Sequence, residues 1–186
     1  MLDDSTEDGQ LSPRERRPTA ERTAQSGASE TTQSTWRRLR RGAEGGALAT
    51  VVMTVYRLPV TRSLPPSAEF WARYVAGGDP KDHSVAALVL HLAYGVAAGV
   101  LFAALLPERE SVIPAPGSRG PPSPAQEVST TVSGLGYGLA LSVFGERVVL
   151  GALLDVDPDD RFAFHVGHAL YGITLGAWLG TRTRDE

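Results

Sequence analysis

The chain has 186 residues, a formal net charge of −3 and no cysteine. The small net charge gives no electrostatic reason to expect a nucleic-acid partner, and without cysteine there are no disulfides, thiolate metal ligands or thiol catalysis. The mean hydropathy of −0.11 would suit a soluble protein, but the charged residues are unevenly distributed. Asp, Glu, Lys and Arg are absent from residues 83–106, 128–145 and 162–180. Runs of this length predict helices that cross about 30 Å of hydrocarbon.

The two ends of the chain, residues 1–41 and 182–186, are predicted to be polar tails. Ser, Thr, Glu, Arg, Gln and Gly dominate the first tail and bury too little apolar surface to offset the entropy of ordering, so it is predicted to be disordered. Trp36 stands beside four arginines just before an apolar run, which is typical of the cytoplasmic boundary of a membrane.

The first membrane unit is predicted over residues 42–106 and begins with a helix over 42–60. A short segment lying in the membrane interface follows, with one apolar face. That face is formed by Phe70, Trp71, Tyr74 and Val75. Asp79 as N-cap and Pro80 at the first helical position then start a second helix, which continues to the end of the unit.

The second membrane unit, residues 129–181, follows a linker over 107–128 that contains six prolines and is predicted to be stiff and exposed. A third helix is predicted over 129–153. The fourth helix is predicted to begin with Asp157 as N-cap and Pro158 at its first position.

One motif occurs in both units, as His91-x2-Tyr94-Gly95-x3-Gly99 and as His168-x2-Tyr171-Gly172-x3-Gly176. Each copy follows an Asp-Pro-x-Asp sequence by about the same distance. The repetition predicts two parallel two-helix repeats, related by a pseudo-twofold axis along the membrane normal. The expected fold is therefore all-α, an integral-membrane four-helix bundle of the cell membrane, with both termini in the cytoplasm.

Small residues recur at every fourth position along the predicted helices, which lets neighbouring backbones approach closely within a membrane. The predicted packing glycines are Gly46, Gly95, Gly99, Gly134, Gly138, Gly172 and Gly176. The same stripes could instead serve association into a homo-oligomer.

A candidate central polar site combines His91, His168 and Glu146 with Tyr94 and Tyr171. Both histidines share a helix face with the packing glycines, and Glu146 interrupts an apolar run, where an ionisable residue marks a functional candidate. The simpler alternatives are that each imidazole only bonds a neighbouring helix, and that Glu146 lies among lipid headgroups.

Three functions are compatible with this pattern. The first is a non-enzymatic transporter-like or channel-like protein with His91, His168 and Glu146 at its centre. The second is a redox subunit that binds haem or a metal through His91, His168 and His165. The third is a structural or assembly protein in the lipid bilayer. No catalytic motif indicates an enzyme.

Four segments carry a resemblance to a known family: Gly46–Pro66, Glu69–Tyr74, the two His-x2-Tyr-Gly-x3-Gly copies, and Phe144–Val148. Together they resemble a family of small four-helix membrane proteins of haloarchaea that is assigned to a domain of unknown function. They are similar, more distantly, to YagU-like inner-membrane proteins. The resemblance implies a membrane location and a haloarchaeal source, and it brings no activity or site residues.

Overall fold

The structure, a computed structural model, describes residues 13–61, 65–106 and 124–181. Every regular element within these ranges is a helix, so the all-α prediction is confirmed. The chain divides between Arg37 and Arg38 into two compact units. The first unit is helical from residue 13 onward, and the second contains all the helix pairs described below.

Helix α1 spans Pro13–Thr61, so residues 13–41, which were predicted to be disordered, are helical in the structure. Arg is the commonest residue there and is among the better helix formers. Extending a helix that already exists also needs no new nucleus, which is the expensive step. The remainder of the predicted tail, residues 1–12, lies outside the described residues.

The segment after α1 contains the short helix α2, Ser67–Trp71, which continues as a π-helical turn over Ala72–Ala76. Its predicted apolar face is divided between two environments. Phe70 packs against a buried cluster formed by Leu150, Leu154 and Phe164. Tyr74 and Val75 are exposed.

Helix α3 comprises a 3-10 turn over Pro80–His83 and an α-helix over Ser84–Leu105. The predicted N-cap is confirmed, since the Asp79 carboxylate accepts a hydrogen bond from the backbone N–H of Lys81 at 2.9 Å. Proline at the first position has no N–H that would need a partner.

Helix α4 spans Pro124–Phe144 and continues in π-helical form over Gly145–Leu154. Residues 124–128, which were assigned to the linker, are therefore helical, because proline is well suited to the first turn of a helix. The remainder of the predicted linker, residues 107–123, lies outside the described residues. The predicted third helix is present, but its second half has the wider π-helical backbone.

The end of α4 is closed by residues from the α2 segment. Arg73 donates a hydrogen bond from its Nη1 to the Leu154 carbonyl, and the Tyr74 hydroxyl donates to the Leu153 carbonyl at 2.8 Å. The chain then turns through Asp155, whose φ of 55° is left-handed. The last carbonyls of a helix have no intrahelical partner, so these two side chains satisfy groups that would otherwise be orphaned.

Helix α5 spans Arg161–Thr181 and begins three residues later than predicted. The N-cap is Asp160 and not Asp157: its carboxylate accepts from the backbone N–H of Ala163 at 2.9 Å. Asp157 pairs with the Arg161 side chain at 3.4 Å instead. Both aspartates are good caps, and the later one is used because the loop from α4 remains non-helical through Asp160.

Glycines stand at the closest approaches between helices. A Cβ added to Gly46 of α1 would lie 3.0 Å from the Gly99 Cα of α3. A Cβ added to Gly138 of α4 would lie 3.0 Å from the Gly172 Cα of α5. Between the pairs lies one apolar core, formed by Ala49, Met53, Ala98, Phe102, Ala103, Tyr171, Leu175 and Leu179.

Some polar side chains are buried in the bundle, and long rows of apolar side chains are exposed on its surface. Buried polar residues are Thr50, Arg57, Thr130, Ser142 and His168. Large apolar residues are exposed along α3 at Val85, Leu88, Val89, Leu92, Leu101 and Leu105, and along α4 at Val128, Val132, Leu139, Val143, Phe144 and Val148. Among the described helices, Pro80–Leu105 and Pro124–Leu154 are the two long and apolar enough to cross a membrane, judged by length and composition.

Candidate functional site

Four of the five residues predicted to form a central site line one small cavity, which all four long helices enclose. These four are His91, Tyr94, His168 and Tyr171. Thr50, Met53, Gly95 and Leu141 complete the lining. The cavity has a volume of about 10 Å³, which is room for about one water molecule.

His168 is held in one tautomer by its own helix. Its Nδ1 lies 2.9 Å from the Phe164 carbonyl, and since a carbonyl can only accept, Nδ1 carries the hydrogen. The imidazole also packs on the Phe164 ring, with the ring centroids 4.5 Å apart. Because Nδ1 carries the hydrogen and donates it to Phe164, Nε2 carries the lone pair of the neutral ring and is the nitrogen that can take up a proton.

His91 faces the same cavity from α3 and is half-buried. It interacts electrostatically with His168 of α5 and with Arg57 of α1, and Arg57 also interacts with His168. Arg57 is buried, and its side chain also lies beside Gly167 at the α1–α5 contact. The two imidazoles therefore share their surroundings with a fixed positive charge.

The two tyrosines have different environments although their positions in the motif are the same. Tyr171 is buried and its hydroxyl donates to the Gly95 carbonyl of α3 at 2.6 Å. Tyr94 is 41% exposed and lies at the open edge of the cavity. Tyr137 of α4, which was not predicted, also donates to α3, at 2.8 Å from its hydroxyl to the Ala98 carbonyl.

Glu146 is not among the residues that line this cavity, so its predicted place beside His91 and His168 is corrected. One carboxylate oxygen lies 2.7 Å from Nε of Arg161, and the other lies 3.0 Å from Nε2 of His165. The reason is the register of the two helices. Gly138 of α4 already faces His168, so a residue two turns further along α4 faces the start of α5.

His165 bonds α4 through both ring nitrogens, because its Nδ1 lies 2.9 Å from the Ser142 hydroxyl. Both nitrogens of His165 are thus engaged, which leaves none for the predicted chelate with His168. Within the described residues, no three His, Asp or Glu side chains are grouped to hold a metal ion.

Three residues of this region were not predicted: Ser142 and Arg161 as partners of the Glu146–His165 pair, and Arg57 as a buried charge. The spacing of residues in the sequence could have indicated the roles of Ser142 and Arg161. Ser142 precedes Glu146 by four residues, and Arg161 precedes His165 by four, so each pair shares one helix face.

Comparison of the chain with protein families, with curated proteins and with solved structures gave no match.

Proposed function

We propose that this chain is a multi-pass integral membrane protein whose four long helices, α1, α3, α4 and α5, cross the bilayer. The exposed apolar rows of α3 and α4 support this proposal, because valine and leucine rows suit lipid and leave an unusually apolar surface in water. Packing through glycines suits a membrane as well, where apolar burial does not drive helices together.

The proposal includes the internal repeat. Gly46 approaches Gly99 within one pair of helices, and Gly134 approaches Gly176 within the other, at the corresponding motif positions. Two helices per repeat return the chain to its starting side. The termini would then lie together, in the cytoplasm by the distribution of arginines, with Lys81 and the loop before α5 on the opposite side.

The function that the site supports best is proton transfer through the bundle, with His91 and His168 as relay groups. One observation carries it: two imidazoles from different helices face a single cavity with room for about one water molecule. His168 accepts a proton at Nε2 while Nδ1 remains bonded to Phe164, and it exchanges this proton with His91 across the cavity. A cavity of this size is large enough for the passage of a proton and too small for an organic solute.

The two other functions are supported less well by the geometry. A haem macrocycle is far larger than the space between the imidazoles. Assembly through the glycine stripes would need glycines facing outward, but Gly95, Gly99 and Gly172 already contact other helices of the same chain.

The test is proton flux into liposomes that contain the purified protein, followed with a trapped pH-sensitive dye after a pH jump. His91→Ala and His168→Ala should each lower the flux about tenfold or more, since a positioned proton-transfer group is typically worth at least that factor. His83→Ala is the matched control. His83 stands at the start of α3, bonds the Gly77 carbonyl at 2.8 Å, and does not line the cavity.

Two results would contradict the proposal. One is a wild-type flux no larger than that of protein-free liposomes. The other is a flux that His91→Ala and His168→Ala leave at the wild-type level.

A further inference from the structure

The start of α5 and the π-helical part of α4 hold a second polar cluster beside the cavity. It consists of Arg161, Glu146, His165 and Ser142, joined by contacts of 2.7, 3.0 and 2.9 Å in that order. We propose that Glu146 and His165 form the proton entry to the cavity, on the side of the bundle where α5 begins. This inference rests on the proposed proton transfer.

The hydrogen bonds of His165 suit a group that passes a proton on. Glu146 is a carboxylate and accepts from Nε2. On the other side of the ring, the Ser142 hydroxyl has one proton, which it can give either to the Leu139 carbonyl, at 2.8 Å, or to Nδ1 of His165. When Ser142 donates to Leu139, its oxygen accepts from Nδ1–H of His165, so both ring nitrogens carry hydrogen and the imidazole is charged. When Ser142 donates to Nδ1 instead, only Nε2 carries hydrogen and the imidazole is neutral. The same side-chain positions thus accommodate His165 with and without its extra proton.

One side of this cluster is exposed and the other is buried. The Arg161 side chain is 65% exposed, those of His165 and Glu146 are 33% and 22% exposed, and Ser142 is fully buried. A proton that arrives from outside the bundle can therefore reach the carboxylate and the imidazole, while the Ser142 hydroxyl is buried.

The helix register connects the cluster to the cavity. Arg161, His165 and His168 are spaced four and three residues apart, so they share one face of α5. His165 and His168 also interact electrostatically. Glu146 continues the α4 stripe of Gly138 and Ser142 by another four residues, which brings its carboxylate over the same face of α5.

The charged groups around this path come from every surrounding element. Arg161 holds Glu146 from α5 and is itself paired with Asp157 of the preceding loop. Arg57 of α1 interacts electrostatically with His91, with His168 and with Asp159 of the loop before α5. Glu146 and Asp157 thus surround Arg161 at the outer end of the path.

The experiment is the same liposome flux assay with variants of the cluster. Glu146→Gln and His165→Asn should each lower the flux about tenfold or more, because each removes a titratable group and preserves much of the side-chain volume. Glu146→Asp keeps a carboxylate and should recover part of the flux. Arg147→Gln is the matched control, since Arg147 is the exposed neighbour of Glu146 and does not line the cavity.

The outcomes separate this inference from the proposed function. If His91→Ala and His168→Ala abolish flux while Glu146→Gln and His165→Asn retain it, the entry is elsewhere and the proton relay stands. If Glu146→Asp recovers no more flux than Glu146→Gln, the carboxylate has only a structural role and the inference fails. A wild-type protein without flux overturns both. Unfolding temperatures of all variants in detergent identify any loss that comes from misfolding.

Discussion

Arg57 of α1 is a buried cation whose Nε has no hydrogen-bond partner within the described part of the chain. Asp159 attracts it electrostatically, but no direct ion pair joins the two in the residues that the structure describes. A buried donor that loses its water and finds no partner costs about 1–3 kcal/mol of stability. The same charge interacts electrostatically with both imidazoles of the cavity.

Replacing this cation should therefore stabilise the protein. We expect Arg57→Met to raise the free energy of unfolding by about 1 kcal/mol, because methionine fills the volume without a polar group and the lost attraction to Asp159 offsets only part of the gain. Equilibrium unfolding in mixed detergent micelles measures the change, with the exposed Arg147→Met as control. A lower free energy of unfolding for Arg57→Met would show that the guanidinium is better satisfied than its contacts indicate.

Individual residues of the site were predictable from the sequence to different degrees. His91 and His168 could be located because each shares a helix face with packing glycines, and that face must point inward. The partners of Glu146 could not be located, because they depend on how far α4 slides along α5. A shift of one helical turn would have placed the carboxylate beside a different residue, and no local pattern in the sequence determines that shift.

At the scale of elements, the contact between α4 and α5 depends on glycine at positions where the two backbones touch. Gly138 faces the His168 carbonyl and the Gly172 Cα, whereas Gly136, half a turn away, has nothing within 4 Å of an added Cβ. The two glycines thus form a natural pair for comparison: they lie on the same helix, and an added methyl group is crowded at one position and free at the other.

We expect Gly138→Ala to lower the free energy of unfolding by about 1–3 kcal/mol, because the added methyl group must push the two backbones apart. Gly136→Ala should raise it by about 0.5–1 kcal/mol, since alanine is the better helix former where nothing is crowded. Unfolding in mixed micelles compares both with the wild type. Equal effects of the two substitutions would show that α4 and α5 are not in contact at this register.

One of the two helix starts was predicted correctly from the local sequence. Asp79 followed by Pro80 starts α3 as expected, and Asp82, the second aspartate of that sequence, lies in the first turn. The second Asp-Pro-x-Asp sequence offered Asp157 and Asp160, and the later residue is used. The preceding chain leaves α4 through a left-handed residue, with the end of α4 closed by Arg73 and Tyr74. These contacts come from a segment about 80 residues away, so the local sequence could not predict them.

At the scale of the whole molecule, the uncharged runs in the sequence correspond to the apolar rows that are exposed on the long helices of the structure. Val89 of α3 and Val132 of α4 are each about 60% exposed, at 62% and 60%, although both belong to the two helices apolar enough to span a membrane. The cost of exposing such rows to water disappears if lipid covers them. The absence of cysteine from the chain makes this burial directly measurable.

Single cysteines introduced at Val89 and Val132 should resist a membrane-impermeant maleimide in liposomes, because hydrocarbon excludes both the charged reagent and the thiolate that reacts with it. Cysteines at Lys81, in the first turn of α3, and at Asp157, before α5, are exposed and should react readily and from the same side of the membrane. Labelling before and after the liposomes are opened with detergent shows on which side of the membrane each cysteine lies.

Val89→Cys or Val132→Cys reacting as fast as Lys81→Cys in intact liposomes would contradict the membrane assignment. Lys81→Cys and Asp157→Cys reacting from opposite sides would leave the membrane assignment intact and contradict the parallel repeat, since that arrangement requires α3 and α5 to start on one face.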